Sequence, residues 1–110
     1  MTDIFYRGDS GVIRPTAVTN QAGNIVDLTT LTEATFTMRR FEDSATVLLT
    51  KTLGAGVTVE NPTGGILSVK IEAGDTDDIS GNVCYDIEMI VDGETYTIKE
   101  DLLISKDVSH

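Results

Sequence analysis

Short runs of alternating apolar and polar residues, each closed by a turn signal, dominate the pattern along this chain. Ala34, Phe36 and Met38 alternate with Thr35, Thr37 and Arg39, and Leu67, Val69 and Ile71 alternate with Ser68, Lys70 and Glu72. A period of two puts successive side chains on opposite faces of a strand, so each run supplies one apolar face. Turn signals built largely from Gly, Asn, Asp and Ser separate the runs at 8–11, 20–24, 42–44, 54–56, 61–65, 74–81 and 92–93. Strands are expected over 3–7, 12–19, 32–41, 45–52, 57–60, 65–72, 82–91 and 94–105, some bent or broken, with helical turns only at 28–31 and 76–79.

The last two runs can be set in register. They flank Asp92-Gly93, a dipeptide favoured in two-residue type I′ hairpin turns because both central residues need positive φ. Pairing outward from that turn sets Met89 opposite Tyr96, Ile87 opposite Ile98 and Val83 opposite Leu102 on one face. Glu88 then meets Thr97, and Asp86 meets Lys99 as a cross-strand ion pair, on the other. Glu100 falls on the apolar face opposite Tyr85, and a local bulge is the expected escape for a carboxylate there.

Two apolar sheet faces packed together make a core about 10 Å thick, whereas one open sheet would leave its apolar face wet. The expected fold is therefore an all-β, antiparallel β-sandwich of about seven to eight strands. A chain of 110 residues suits one domain, 1–110.

Composition narrows the function classes. The longest apolar stretches, such as 89–91, fall far short of the roughly 20 residues that span a bilayer. Asp3 and Arg7 interrupt the region where a signal peptide would be apolar. Neither a membrane partner nor an export signal is expected. The single cysteine, Cys84, excludes an intrachain disulfide. With 18 acidic against 8 basic residues and a formal charge of −10, the chain repels a phosphate backbone, so nucleic acid is not an expected partner. Between Glu72 and Asp101 the only base is Lys99, which makes part of the surface strongly negative.

Candidate chemistry is sparse. The only histidine is the terminal His110, so neither a Ser-His-Asp nor a Cys-His arrangement has a well-held base. Cys84 sits on the face opposite Val83 and Tyr85 and is read as a small semi-exposed or interface residue. One Cys and one terminal His do not furnish a closed zinc site. Asp75, Asp77 and Asp78 lie in a Gly-bounded loop and are the weak metal candidates, since Ca²⁺ draws several oxygens from such loops, although their spacing is not that of an EF-hand. The Arg7-Gly8-Asp9 tripeptide matches an adhesion motif only as three residues can by chance. Arg39, Arg40 and Lys51 form one modest basic area and are the weak interface candidates, suited to a head-to-tail contact with the acidic hairpin of another copy. No cofactor and no catalytic residue are expected.

The order of these features over about a hundred residues resembles the small immunoglobulin-like domains of tailed-bacteriophage virions, notably the N-terminal module of baseplate upper proteins and related tail or fibre-attachment modules. The resemblance is carried by Phe5, Arg7 and Gly8, by Gly23-Asn24-Ile25-Val26-Asp27-Leu28, and by Phe36-Thr37-Met38-Arg39. Gly65-Ile66-Leu67-Ser68-Val69 follows, then Asp75-Thr76, Gly81, Tyr85-Asp86-Ile87-Glu88, Asp92-Gly93, Leu102, Ile104 and Asp107-Val108-Ser109. The chain departs from the family at Val83, where an aromatic is common, and at Glu100, where a glycine often precedes the final strand. The resemblance implies a non-enzymatic docking protein of the virion, made in the host cytoplasm and attached to tail, baseplate or neck. Its implied partners are other phage structural proteins or further copies of itself. Ending at His110, the chain would be the docking module by itself or a complete small virion protein. A capsid decoration protein is the alternative within that class, and a calcium- or carbohydrate-binding β-sandwich module the alternative outside it. The carbohydrate reading needs exposed aromatics, and with no Trp, three Tyr and three Phe, few are expected to remain once the core is filled.

Overall fold

In chain order the strands are β1 (Asp3–Tyr6), β2 (Gly11–Ile13), β3 (Leu31–Arg39), β4 (Val47–Leu53), β5 (Gly56–Asn61), β6 (Ile66–Ile71), β7 (Gly81–Val91) and β8 (Glu94–Ser105), with one turn of 3₁₀ helix at Ala73–Thr76. They belong to a computed structural model that describes residues 3–6, 10–41, 46–76, 79 and 81–105. Each of the eight expected runs overlaps one strand. The largest difference is in 12–19, where β2 ends at Ile13. Pro15 has no N–H to give a ladder, so the chain leaves the sheet there. The 28–31 segment is a turn closed by the Leu31 N–H on the Leu28 carbonyl at 3.1 Å. The 3₁₀ turn begins earlier than the expected 76–79, at Ala73.

Alternation predicts two antiparallel sheets, yet the ladders join all eight strands into one mixed sheet in the order β1-β8-β7-β3-β4-β5-β6-β2. Two pairings are parallel, β1 with β8 and β4 with β5. Alternation reports which face a side chain takes, not which way its neighbour runs. The β4–β5 ladder has only two rungs, Thr52 to Gly56 and Leu53 to Val57, so it is a tight jog that passes the chain from one half of the sheet to the other.

The sheet curls. Its outermost strands, β1 and β2, are consecutive in sequence, and Tyr6 and Gly11 stand five residues apart, a reach of roughly 18 Å at most. Laid flat at about 4.8 Å per strand, eight strands would hold those edges about 34 Å apart. The curl buries an inner row on both sides of β4: Phe36 and Met38 of β3, Val57 of β5, Leu67, Val69 and Ile71 of β6, and Ile87 and Met89 of β7 are all fully buried, while β4 itself is only partly covered. Val18, Val26 and Leu28 join this core from the strand-free segment before β3. That segment is stitched to the β5–β6 turn, with the Val18 N–H on the Gly65 carbonyl at 2.9 Å and the Leu28 N–H on the Pro62 carbonyl at 2.8 Å.

The β7–β8 hairpin has the expected register throughout, from Val91–Glu94 to Gly81–Ile104. Asp92 and Gly93 have φ of 54° and 82°, the two positive values of a type I′ turn. The bulge expected at Glu100 is absent: Glu100 stays in register opposite Tyr85. Its Oε2 accepts the Tyr85 hydroxyl at 3.1 Å, and its Oε1 accepts the Thr16 N–H at 3.0 Å and the Thr16 hydroxyl at 2.9 Å. An inward carboxylate therefore remains because three donors satisfy it, one of them brought from the segment after β2 by the curl.

Candidate functional site

The three bases named from the sequence occupy different settings. Arg39, at the end of β3, has Nη1 3.0 Å from Asp86 Oδ2 on the neighbouring β7, with both side chains somewhat more than a quarter exposed. Asp86 also lies opposite Lys99, as the hairpin register requires. The sequence considers only the β8 side of β7, but a central strand has two neighbours, and the one carrying Arg39 lies on the other side. Arg40 Nη1 donates to the Asn82 carbonyl at 3.3 Å.

Lys51 is on the inner face of β4, because it pairs with Phe36. Its Nζ is 2.7 Å from Asp75 Oδ2, with side-chain exposures of 15% and 21%. Asp75 also accepts the Glu72 N–H at 2.8 Å. Lys51, helped by that N–H and opposed by burial, holds the Asp75 carboxyl below the usual carboxylate range. Asp75 thus fastens the 3₁₀ turn to β4. Asp77 and Asp78, like the Arg7-Gly8-Asp9 tripeptide, lie outside the described residues. Among the described residues no three His, Cys, Asp or Glu side chains are grouped to hold a metal.

Concavities among the described residues are of two kinds. On the outer face of β3, β7 and β8, a cleft of about 240 Å³ is lined by Arg39, Cys84, Asp86, Lys99 and Asp101 among others. Cys84 is partly buried there, between its ladder partners Arg39 and Asp101. The cleft presents charges of both signs.

At the end of the sheet carrying the Asp92-Gly93 turn lie two clefts of about 670 and 400 Å³, which share Asn20, Glu94 and Tyr96 in their linings. One wall is the 19–30 segment, whose conformation is held locally. The Asn20 N–H bonds to the Asn24 carbonyl and the Gly23 N–H to the Asn20 carbonyl, both at 2.9 Å. Asn20 Oδ1 accepts the N–H groups of Ala22 and Asn24 at 2.9 and 3.0 Å. Asp27 Oδ1 accepts the Thr29 hydroxyl and N–H, which hold its carboxyl below the usual range. The opposite wall is β8, where the Tyr96 hydroxyl donates to Glu94 Oε2 at 2.9 Å. That bond, with burial and the charges of Glu94 and Asp92, raises the Tyr96 phenol. The Tyr96 ring packs partly against the core. Sequence reasoning places Tyr96 only as an inward hairpin residue. The signal for its second role is positional, since Tyr96 is the inward apolar side chain of β8 nearest the turn, at the rim of the core.

No protein-family model matches the chain, and no curated protein matches it.

Proposed function

We propose that the chain is a non-enzymatic docking domain of a tailed-bacteriophage virion, held to tail, baseplate or neck by protein–protein contacts, and that its curled sheet is an immunoglobulin-like β-sandwich. The observation that carries this reading is the strand order. Divided at the two-rung jog between β4 and β5, the sheet reads β1-β8-β7-β3-β4 and β5-β6-β2. Lettered in chain order with β4 as C′, these are A-G-F-C-C′ and D-E-B, and strands B to G keep the neighbour relations of immunoglobulin-type sandwiches. The inner rows of the two halves, Phe36, Met38, Ile87 and Met89 against Val57, Leu67, Val69 and Ile71, supply the facing layers that such a sandwich needs. The family resemblance of the sequence adds the virion setting, with other phage structural proteins as partners, further copies of the chain as a second kind of partner, and synthesis in the host cytoplasm.

The test is immunogold electron microscopy with an antibody to this chain, on particles purified from the strain that carries its reading frame. Gold at the tail, baseplate or neck is the expected result. Gold confined to the capsid shell replaces tail docking with capsid decoration, and particles that lack the chain overturn the virion reading.

A further inference from the structure

The paired clefts at the Asp92-Gly93 end have the chemistry of a small-molecule site. Their volumes of about 670 and 400 Å³ fall in the range of roughly 300–1,000 Å³ typical of such sites. An aromatic side chain stands between them. Of the aromatics whose side chains are described, Phe36 and Tyr85 are spent in the core, where their ring centroids lie 5.1 Å apart, and Phe41 is exposed beyond the end of β3, away from these clefts' linings. Tyr96 is only partly buried and lines both clefts. The scarcity of exposed aromatics expected from composition therefore does not extend to this site.

The polar groups around Tyr96 are oriented by local hydrogen bonds that use one atom and leave another. Asn20 spends Oδ1 on two backbone N–H groups, which turns its two Nδ2 donors to other use. Asp27 spends Oδ1 on Thr29 and keeps Oδ2, and Glu94 spends Oε2 on the Tyr96 hydroxyl and keeps Oε1. Gln21 adds a second amide to the lining. The result is a mixture of fixed donors and fixed acceptors beside a ring face. A sugar hydroxyl both donates and accepts, and the C–H face of a pyranose packs on an aromatic ring, so a pyranose uses every one of these groups. A guanidinium or ammonium group has only donors, so it would use the carboxylates of Asp27, Asp92 and Glu94 but leave the Asn20 amide donors without an acceptor.

We propose that this end of the molecule binds a pyranose unit of a glycan, with the sugar against the Tyr96 ring and its hydroxyls held by Asn20, Gln21, Asp27 and Glu94. The proposal is independent of which particle or protein the domain docks to. The site is pre-formed, since the 19–30 wall is held by its own backbone and Asx bonds, and binding needs no ordering of a loop.

The experiment is a ¹⁵N–¹H correlation titration of the full chain with the methyl pyranosides of glucose, galactose, mannose and N-acetylglucosamine, and with N-acetyl-arginine amide. At least one sugar is expected to shift amides confined to 19–30 and 91–97. Tyr96→Leu, which keeps an apolar contact with the core, is expected to weaken that binding by about tenfold or more, and Glu94→Gln by a few-fold, on the scale where one lost contact costs about a factor of ten. Glu94 is exposed, so its variant keeps the test valid if Tyr96→Leu fails to fold. No shift with any of the four sugars, shifts scattered outside the two segments, or shifts with the arginine amide alone would overturn the proposal.

Discussion

The Tyr85 hydroxyl donates to Glu100 Oε2 at 3.1 Å across directly opposed rungs of β7 and β8. The same carboxylate receives two hydrogen bonds from Thr16, so it ties the hairpin to the segment that follows the opposite edge strand. Glu100→Ala removes the acceptor that the Tyr85 hydroxyl and Thr16 share and is expected to cost about 2 kcal/mol in urea unfolding. Tyr85→Phe removes one partner and leaves two, and its expected cost is about 1 kcal/mol. Equal effects of the two substitutions would mean that the Thr16 arm carries nothing.

Acid should loosen the Lys51–Asp75 tie. The folded-state carboxyl of Asp75 is lowered by Lys51, so the folded protein binds fewer protons there than the unfolded chain. That contribution is fully present above the unfolded group's value, around pH 4, and is lost as the pH falls below it through the lower folded-state value. Asp75→Asn is expected to lower stability at neutral pH by about 1–2 kcal/mol and to flatten the fall in stability below about pH 4. Melting curves of the two proteins across that interval compare the slopes directly.

Two glycines with similar backbone angles should respond differently to alanine. Gly65 has φ of +69°, and a Cβ there would lie 3.0 Å from Ile25 Cγ2 and 3.1 and 3.2 Å from the carbonyl oxygens of Val26 and Val18. Gly23 has φ of +84° with nothing within 4 Å. Gly23→Ala is expected to cost about 1 kcal/mol for the left-handed backbone alone. Gly65→Ala adds crowding against backbone that is already hydrogen-bonded, for a total of about 3 kcal/mol. Denaturant midpoints of the two variants measure the difference.

The hairpin turn offers a fourth test. Asp92 has φ of 54°, which a β-branched residue tolerates poorly. Asp92→Val is expected to destabilise by about 1–2 kcal/mol, and Asp92→Asn to be close to neutral. Hydrogen exchange should show the loss first at the amides next to the turn, because the rungs toward Gly81 are held by β1 on the far side of β8 and by the Glu100 cluster.

The hairpin could be read to the residue because three local signals agree there: alternation on both arms, a turn dipeptide with one geometry, and apolar positions that coincide once the register is set. The fate of Glu100 could not, since two of its three donors come from Thr16, 84 residues away, and no local pattern announces them. Asp86 illustrates the same limit. Its hairpin partner follows from counting, but the contact with Arg39 depends on which strand lies on the far side of β7. The direction of the β4–β5 pairing was hidden for another reason, as a parallel jog and a tight hairpin use the same Gly-containing turn residues. In the candidate site, Asp75 was legible as a loop carboxylate but not as the partner of an inward lysine. The Tyr96 clefts are formed by segments some seventy residues apart in sequence.

The placement of β1 and β2 on opposite margins of the sheet bears on how the protein is made. Asp3 lies beside Leu102 and Tyr6 beside Ser105, so β1 has its neighbour in a strand about a hundred residues further along the chain. Until β8 emerges, β1 has no ladder to join and β7 lacks one of its two flanks. Completion of the sheet consequently waits for β8, and the long loop closure it requires slows folding.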